Sequence, residues 1–281
     1  MKKKFTSISG VTLLEMLIGI VISALMMAAL YTSYTAVNNS YSQVSDRANI
    51  SRTGRDIIGM MLRDIRMAGY FDVKAVKIAD PNMHPLFISK SNIFKGTSRK
   101  CDSIVIVYGD VNYNKGADPE FTYPIYRTIY QCRKSNIPNR KGTKNAAGNY
   151  PTKDLWAIYK TKERWNITEK KWEVKSTDKK THERELVIDH VEDLIFFPLD
   201  EKGKLILPPP QVGGLNESRL YDIRSVDMLI ILRSPDYFFK NKNIRPIEAF
   251  RESGRKQNSN DRYLRESITA TAHTRNIGIA K

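Results

Sequence analysis

The apolar residues of this chain are concentrated near its N-terminus. Residues 11–30 are apolar or small and carry a single charge, Glu15, and no proline occurs before Pro81. Since an α-helix rises 1.5 Å per residue, twenty such residues reach about 30 Å, the thickness of the hydrocarbon core of a membrane. The pattern predicts a membrane-spanning helix. The lysines at positions 2–4 predict that the preceding end stays in the cytoplasm, which leaves the bulk of the chain on the other side.

The helical pattern continues beyond the predicted span. Apolar residues recur at steps of three and four over residues 34–48 and again over 58–65, which is the spacing of one helix face. Gly69 then provides a helix C-cap. The pattern therefore predicts one helix over residues 12–68. The alternative is two helices with a break near Gly54, because glycine weakens a helix.

The period changes after residue 71 from that of a helix to that of strands. β-Branched and aromatic runs predict strands at 103–108, 123–132, 155–159, 194–197, 226–233 and 263–274. Strands that follow one long helix predict an α+β fold in which an antiparallel sheet is covered by the amphipathic part of the helix. The predicted organisation is a spanning helix over 11–30, its amphipathic continuation over 31–70 and a β-rich periplasmic head over 71–281.

Glu15 is unusual because a carboxylate in the middle of a spanning helix costs about 2.5–3.5 kcal/mol. If the chain is cut between Gly10 and Val11, Glu15 becomes the fifth residue of a chain that begins with a free amine. The amine of one subunit could then pair with Glu15 of a neighbour, which would offset the desolvation and set the axial register. Three alternatives are a secretory signal that ends near Ala28 or Ala29, a plain membrane anchor and a buried core helix.

Residues 10–17, GVTLLEML, resemble the processing signature of type IV pilins. That signature is a short basic leader that ends in glycine, an apolar start and a glutamate at the fifth mature position. The resemblance implies a type IV pilin fold, in which a prepilin peptidase cuts after Gly10 and methylates the new amine of Val11. It also implies that Glu15 acts in assembly. Val11 stands where the family most often has phenylalanine, which points to a minor subunit.

Two further segments carry a narrower resemblance. Residues 63–72, RDIRMAGYFD, resemble PilW-type minor pilins and the related J-type minor pseudopilins of type II secretion, and the tail 269–277, TATAHTRNI, resembles the closing strand of the PilW family. The resemblance implies a minor pilin in a tip complex that primes type IV pilus assembly, placed first in the inner membrane and then in an extracellular pilus. The structural expectation for the first segment is that Ile65 packs inward while Arg63, Asp64 and Arg66 are solvated.

The partners implied by this resemblance are the other minor pilins and the major pilin, the prepilin peptidase, the inner-membrane assembly platform and a PilY-type tip adhesin. Two other functions stay open, a minor pseudopilin of a type II secretion system and a DNA-binding subunit of a competence pilus. The sequence contains no nucleophile elbow, phosphate loop or HExxH motif. We therefore expect no enzymatic activity and no cofactor.

The chain is strongly basic, which keeps nucleic acid open as a partner. Its net charge is +16, and it is +13 without the three lysines of the leader. Residues 133–184 hold fifteen Lys or Arg against six Asp or Glu, with Trp156, Trp165 and Trp172 interleaved. One interpretation is a solvated insertion whose tryptophans belong to strands or to the core. The other is an exposed basic patch that contacts DNA.

Two smaller features concern cysteines and metals. Cys101 and Cys132 would both face an oxidising periplasm, so we expect a disulfide, with two buried thiols as the alternative. Residues Asp110, Asn112, Asn114 and Asp118 match positions 1, 3, 5 and 9 of a calcium loop. Lys115 stands at the glycine position of such a loop, so a polar hairpin turn is the preferred interpretation and no metal is predicted.

Overall fold

The computed structural model describes residues 11–70, 83–90, 101–135, 156–235, 237–239, 241–247 and 258–277. The chain forms two compact units, Met1–Ala48 and Asn49–Lys281. The first unit is helical throughout its described part from Leu13 onward. The second unit combines the end of that helix with the strands.

One helix, α1, spans Leu13–Met67 without a break at Gly54, in agreement with the single-helix prediction. The turn that follows α1 contains Gly69, whose φ of +73° lies in the left-handed region that favours glycine. The Gly69 N–H donates to the carbonyl of Val107 at 2.9 Å, which ties the helix end to a strand.

Gly54 marks a close approach between α1 and the sheet. A Cβ at this position would lie 2.2 Å from Cδ1 of Ile268 and 3.0 Å from Cδ1 of Leu232. At Gly59, one turn further along, a Cβ would meet nothing within 4 Å. The missing side chain of Gly54 therefore lets the helix lie directly against the sheet.

The second unit contains twelve described strands and one short 3-10 helix, Glu217–Asp222. The strands are β1 Leu86–Ser89, β2 Ser103–Gly109, β3 Asn112–Tyr113, β4 Phe121–Thr122, β5 Ile125–Lys134, β6 Trp156–Asn166, β7 Lys171–Glu173, β8 His182–Leu199, β9 Ser225–Arg233, β10 Asn243–Pro246, β11 Asn258–Asp261 and β12 Arg265–His273. Eight of them form one antiparallel sheet in the order β1-β2-β5-β6-β8-β9-β12, with β7 paired to β6. Two small hairpins, β3–β4 and β10–β11, stand beside it.

The predicted α+β class, a long helix packed on an antiparallel sheet, is confirmed. Every predicted strand corresponds to an observed one, although β6 and β8 are longer than the apolar runs that predicted them. Six strands were not predicted as strands from the sequence: β1, β3, β4, β7, β10 and β11. Trp165 lies on β6 and Trp172 on β7, as the expectation of strand tryptophans required.

The sheet is buried on both faces where β8 and β9 pair. Alternate residues of β8 belong to two different clusters, Leu194 and Phe196 on one face and Ile195 and Phe197 on the other. The larger cluster contains the inward face of α1. Its helix members are Ile57, Ile58, Met61 and Ile65, and Ala68 joins them from the turn just after the helix. Because both faces are covered here, these strands have the continuous apolar runs from which they were predicted.

Candidate processing and assembly site

The predicted processing site lies at the very start of the described chain. Gly10 falls outside the described residues, and Val11 is the first residue within them, with 72% of its surface exposed. By length and composition, α1 can cross a membrane near its N-terminus, and its most apolar stretch is not buried against the described residues. The candidate cleavage bond therefore directly precedes an apolar helix whose described residues are exposed over 11–30.

Thr12 and Glu15 form a reciprocal cap at the first turn of α1. The Glu15 carboxylate accepts hydrogen bonds from the Thr12 N–H at 2.8 Å and from its hydroxyl at 3.0 Å, both at Oε2. The Glu15 N–H donates back to the Thr12 hydroxyl at 3.3 Å. This is the capping-box arrangement, which satisfies N–H groups that have no partner inside the helix.

The cap offsets part of the desolvation cost of Glu15 with hydrogen bonds from the same chain. The positive end of the helix dipole also favours the carboxylate. A carboxylate can accept about four hydrogen bonds, so two from Thr12 leave capacity for a donor from outside. The capping role of Thr12 was not predicted, although the T-x-x-E spacing of a capping box is visible in the sequence.

A second apolar feature lies beyond the predicted span. Tyr34, Val37, Tyr41 and Val44 are each 68–74% exposed on α1. Their spacing places them on one helix face, and within the described residues of Met1–Ala48 this face has no cover. An exposed apolar stripe of this kind is typical of an interaction surface.

The start of the 63–72 segment differs from its expectation in one residue. Ile65 is fully buried, as expected. Asp64 was expected to be solvated and is not, because it accepts a hydrogen bond from the Tyr130 hydroxyl at 2.6 Å and pairs with Lys160 at 2.7 Å. Burial first, and then the Asp64 charge, raise the pKa of Tyr130, so its hydroxyl remains a donor. This network fixes the end of α1 over β5 and β6.

Cys101 and Cys132 are joined by a disulfide with their Cα atoms 5.8 Å apart, a normal separation for such a bond. Cys101 lies just ahead of β2 and forms an isolated β-bridge with Leu194, whereas Cys132 lies on β5. The bond therefore ties the segment that enters β2 to the neighbouring strand.

The calcium-loop candidate lies on the β3–β4 hairpin, in agreement with the preferred interpretation of a polar hairpin turn. Asp110 and Asn112 both accept from the Lys180 ammonium at 2.6 Å. A protein cation thus occupies two of the four candidate ligands. Asn114 and Asp118 lie in the turn that follows, and among the described residues no cluster of acidic, His or Cys side chains could hold a metal.

Most cations of the basic segment are neutralised over residues 156–184. Residues 156–184 contain nine Lys or Arg. Six of these nine pair with a carboxylate: Lys160 with Asp64, Arg164 with Asp178, Lys171 with Glu169, Lys175 with Glu173, Lys180 with Asp110 and Arg184 with Glu183. This pairing favours the interpretation of a solvated insertion over that of a DNA-binding patch.

Comparison with known proteins bears on the N-terminal segment. Residues 6–31 match the prokaryotic N-terminal methylation motif. The methylation motif includes Gly10, Val11, Thr12 and Glu15, and it is the motif of type IV pilin-like proteins. The chain is therefore type IV pilin-like at its N-terminus.

Two other comparisons concern the fold and the sequence of the whole chain. The type IV-like pilin TTHA1219 from Thermus thermophilus is similar in structure with a TM-score of 0.46 and 10% sequence identity, covering 81% of this chain and 96% of that one. No curated protein sequence matches the chain.

Proposed function

We propose that this chain is a minor pilin, a structural subunit that primes type IV pilus assembly in a tip complex with other minor pilins. The observation that carries the proposal is Glu15, the one charge within residues 11–30, placed inside the methylation motif. A carboxylate at this position, surrounded by lipid or by neighbouring helices, needs a partner, and a motif for cleavage and methylation supplies an amine a few residues away.

The proposed mechanism is association of helices. Before assembly, lipid covers the apolar residues of the span, and the head lies in the periplasm. After cleavage at Gly10, the Val11 amine of one subunit pairs with Glu15 of its neighbour. Thr12 supports this step because it holds the carboxylate at a fixed place on the first turn of the helix. The exposed apolar stripe at 34–44 then packs against adjacent subunits.

A minor rather than a major role rests on two sequence features. Val11 replaces the usual phenylalanine, and residues 63–72 resemble the PilW-type subunits. The proposed partners are the other minor pilins, the major pilin, the prepilin peptidase and the assembly platform, with a PilY-type adhesin at the tip. A minor pseudopilin would use the same helix and the same carboxylate.

N-terminal mass spectrometry of the native protein tests the processing step. We expect a chain that begins with N-methylated Val11. A chain that still begins with its lysine-rich leader, or one that starts near Tyr31, would contradict the proposal.

A pair of variants tests the assembly step. Glu15→Ala should still be inserted and cleaved but should be depleted from sheared pili, as measured by immunoblot against the membrane fraction. Glu15→Gln is the matched control, since it keeps the shape but not the charge and should behave like Glu15→Ala. Normal incorporation of either variant would remove the charge-pairing step, and recovery only with a secretion pseudopilus would replace the pilus role.

A further inference from the structure

A second group of basic residues lies on and beside the β10–β11 hairpin, where cations rest on aromatic rings. The Arg262 guanidinium lies 3.9 Å above the ring of Tyr237, and the Arg245 guanidinium lies 3.6 Å above the ring of Phe239. Lys242 is exposed at the start of the hairpin. We call Lys242, Arg245 and Arg262, with Tyr237 and Phe239, the hairpin cluster.

The hairpin cluster differs from the basic segment at 156–184 in how its charges are held. Arg245 donates to the backbone carbonyls of Asp261 at 2.6 Å and Asn243 at 3.3 Å, which position the guanidinium without neutralising it. Stacking on a ring has the same effect, because the aromatic face is only partly negative. Across the described residues, none of the three cations forms an ion pair with a carboxylate, whereas six of nine do in the other segment.

The local composition strengthens this contrast. Residues 233–265 contain nine Lys or Arg and four Asp or Glu, a net charge of +5, although Arg233 and Arg265 at the two ends of this range both pair with Glu192. Tyr237 is half exposed, so the cluster lies at the surface. Surface cations whose charge is not neutralised are suited to phosphate, because a hydrogen bond between a charged donor and a charged acceptor is strong.

We infer that the hairpin cluster binds DNA through its phosphodiester backbone, without reading its sequence. Lys and Arg contacts to phosphate release counterions and supply nearly all of the affinity in binding of this kind. Aromatic side chains beneath the cations keep their long side chains ordered, which lowers the entropy lost on binding. This inference does not depend on the minor-pilin role, because the contact needs only the head.

Fluorescence anisotropy with a labelled DNA duplex tests the inference, using the full chain in nanodiscs of zwitterionic lipid. We expect binding that weakens steeply with salt. Replacing both Lys242→Gln and Arg262→Gln should raise Kd about tenfold and reduce the salt slope by about 2, since each lost phosphate contact lowers that slope by about 1. Lys242→Gln alone should reduce the slope by about 1, and it leaves the stacked arginines in place.

The matched control removes the same charge from the other basic segment. Lys170→Gln with Lys179→Gln should leave Kd within about threefold of the unmodified chain, because nonspecific attraction to the net charge is then the only loss. Equal effects of the two double variants would overturn the inference, as would the absence of binding at low salt. Binding to anionic vesicles but not to the duplex would assign the cluster to a membrane surface and overturn it as well.

Discussion

At the scale of single residues, Thr12 and Glu15 depend on one another. The hydroxyl of Thr12 both donates to the carboxylate and accepts the Glu15 N–H. A helix that begins in an apolar environment has few other partners for its first N–H groups, because lipid offers none. Thr12, three residues before the charge, is therefore as much a part of the proposed assembly site as Glu15 itself.

Thr12→Val tests this dependence, because valine has the shape of threonine without the hydroxyl. Loss of an N-cap costs about 1 kcal/mol, and the carboxylate keeps only the backbone N–H as a donor. We expect the variant to enter pili less than the unmodified chain but more than Glu15→Ala, as measured by quantitative immunoblot of sheared filaments. Thr12→Ser keeps the hydroxyl and should assemble normally. Full incorporation of Thr12→Val would show that the hydroxyl is dispensable.

At the scale of elements, two glycines of α1 have opposite roles. Gly54 lies where a Cβ would overlap Ile268, whereas Gly59 faces open space. Gly54→Ala should therefore lower the free energy of unfolding by about 1–3 kcal/mol, because Ile268 must move out of its packed position. Gly59→Ala should raise it by about 0.5–1 kcal/mol, because alanine loses less entropy in a helix. Denaturant unfolding of the full chain in detergent measures both, and equal effects would refute the close approach.

The disulfide also acts at the scale of elements. It closes a loop of 31 residues between the segment before β2 and strand β5, and loop-closure entropy predicts a stabilisation of about 3–4 kcal/mol. Reduction of the unmodified chain should lower the free energy of unfolding by this amount. The double variant Cys101→Ser with Cys132→Ser should be equally weakened and indifferent to reductant. A reductant effect in that variant would show that the loss has another source.

The sequence predicted elements well where burial and local pattern coincide. The run at 103–108 is apolar throughout because β2 lies inside the sheet, and it was found almost to the residue. The first half of β8 was missed because residues 182–193 are mostly polar and its strand is bent by bulges. Arg184 and His190 adopt left-handed φ values of 51° and 62° there. Bulges of this kind depend on how β8 pairs with β6 and β9, and the local sequence pattern carries no information about that pairing.

The candidate site residues likewise fall into those that sequence spacing indicates and those that depend on distant strands. Gly10, Val11 and Glu15 could be proposed from the sequence, because the chemistry expected of them depends on spacing along the chain. The position of Asp64 was not, because its partners Tyr130 and Lys160 arrive from strands far along the sequence. The distinction between neutralised and unneutralised basic regions likewise needed the structure, since both have similar composition.

At the scale of the whole molecule, the head is held together at its edge by polar contacts that respond to pH. The loop between β7 and β8 is fixed by Asp178. Its carboxylate accepts from the Tyr126 hydroxyl at 2.9 Å and from Arg164 at 3.4 Å, and its Oδ1 accepts from the Lys180 N–H at 2.9 Å. Burial raises the pKa of Tyr126 to about 12, so its hydroxyl stays a donor across the physiological range.

Asp178 should therefore contribute to acid sensitivity. Burial raises the pKa of this carboxyl, but the Lys180 N–H, Tyr126 and Arg164 together lower it further, so the net pKa lies below the ordinary 3.8. A group whose pKa is lower in the folded state stabilises the protein above its unfolded pKa, and that stability is lost as the pH falls through the folded pKa. We expect the free energy of unfolding to decline below about pH 4, where the unfolded carboxyl begins to bind protons.

Asp178→Asn separates this contribution from the other carboxyls of the chain. The variant should be less stable at neutral pH, because it loses the charge that Arg164 pairs with, and its stability should fall less steeply below about pH 4. Denaturant unfolding of the full chain in detergent over a series of pH values measures both effects. Glu201→Gln, at an exposed turn position, is the matched control and should leave the slope unchanged. If Asp178→Asn is as acid-sensitive as the unmodified chain, the carboxylate is not held by these contacts in solution, and the β7–β8 loop must be fixed mainly by Lys180 on Asp110 and Asn112.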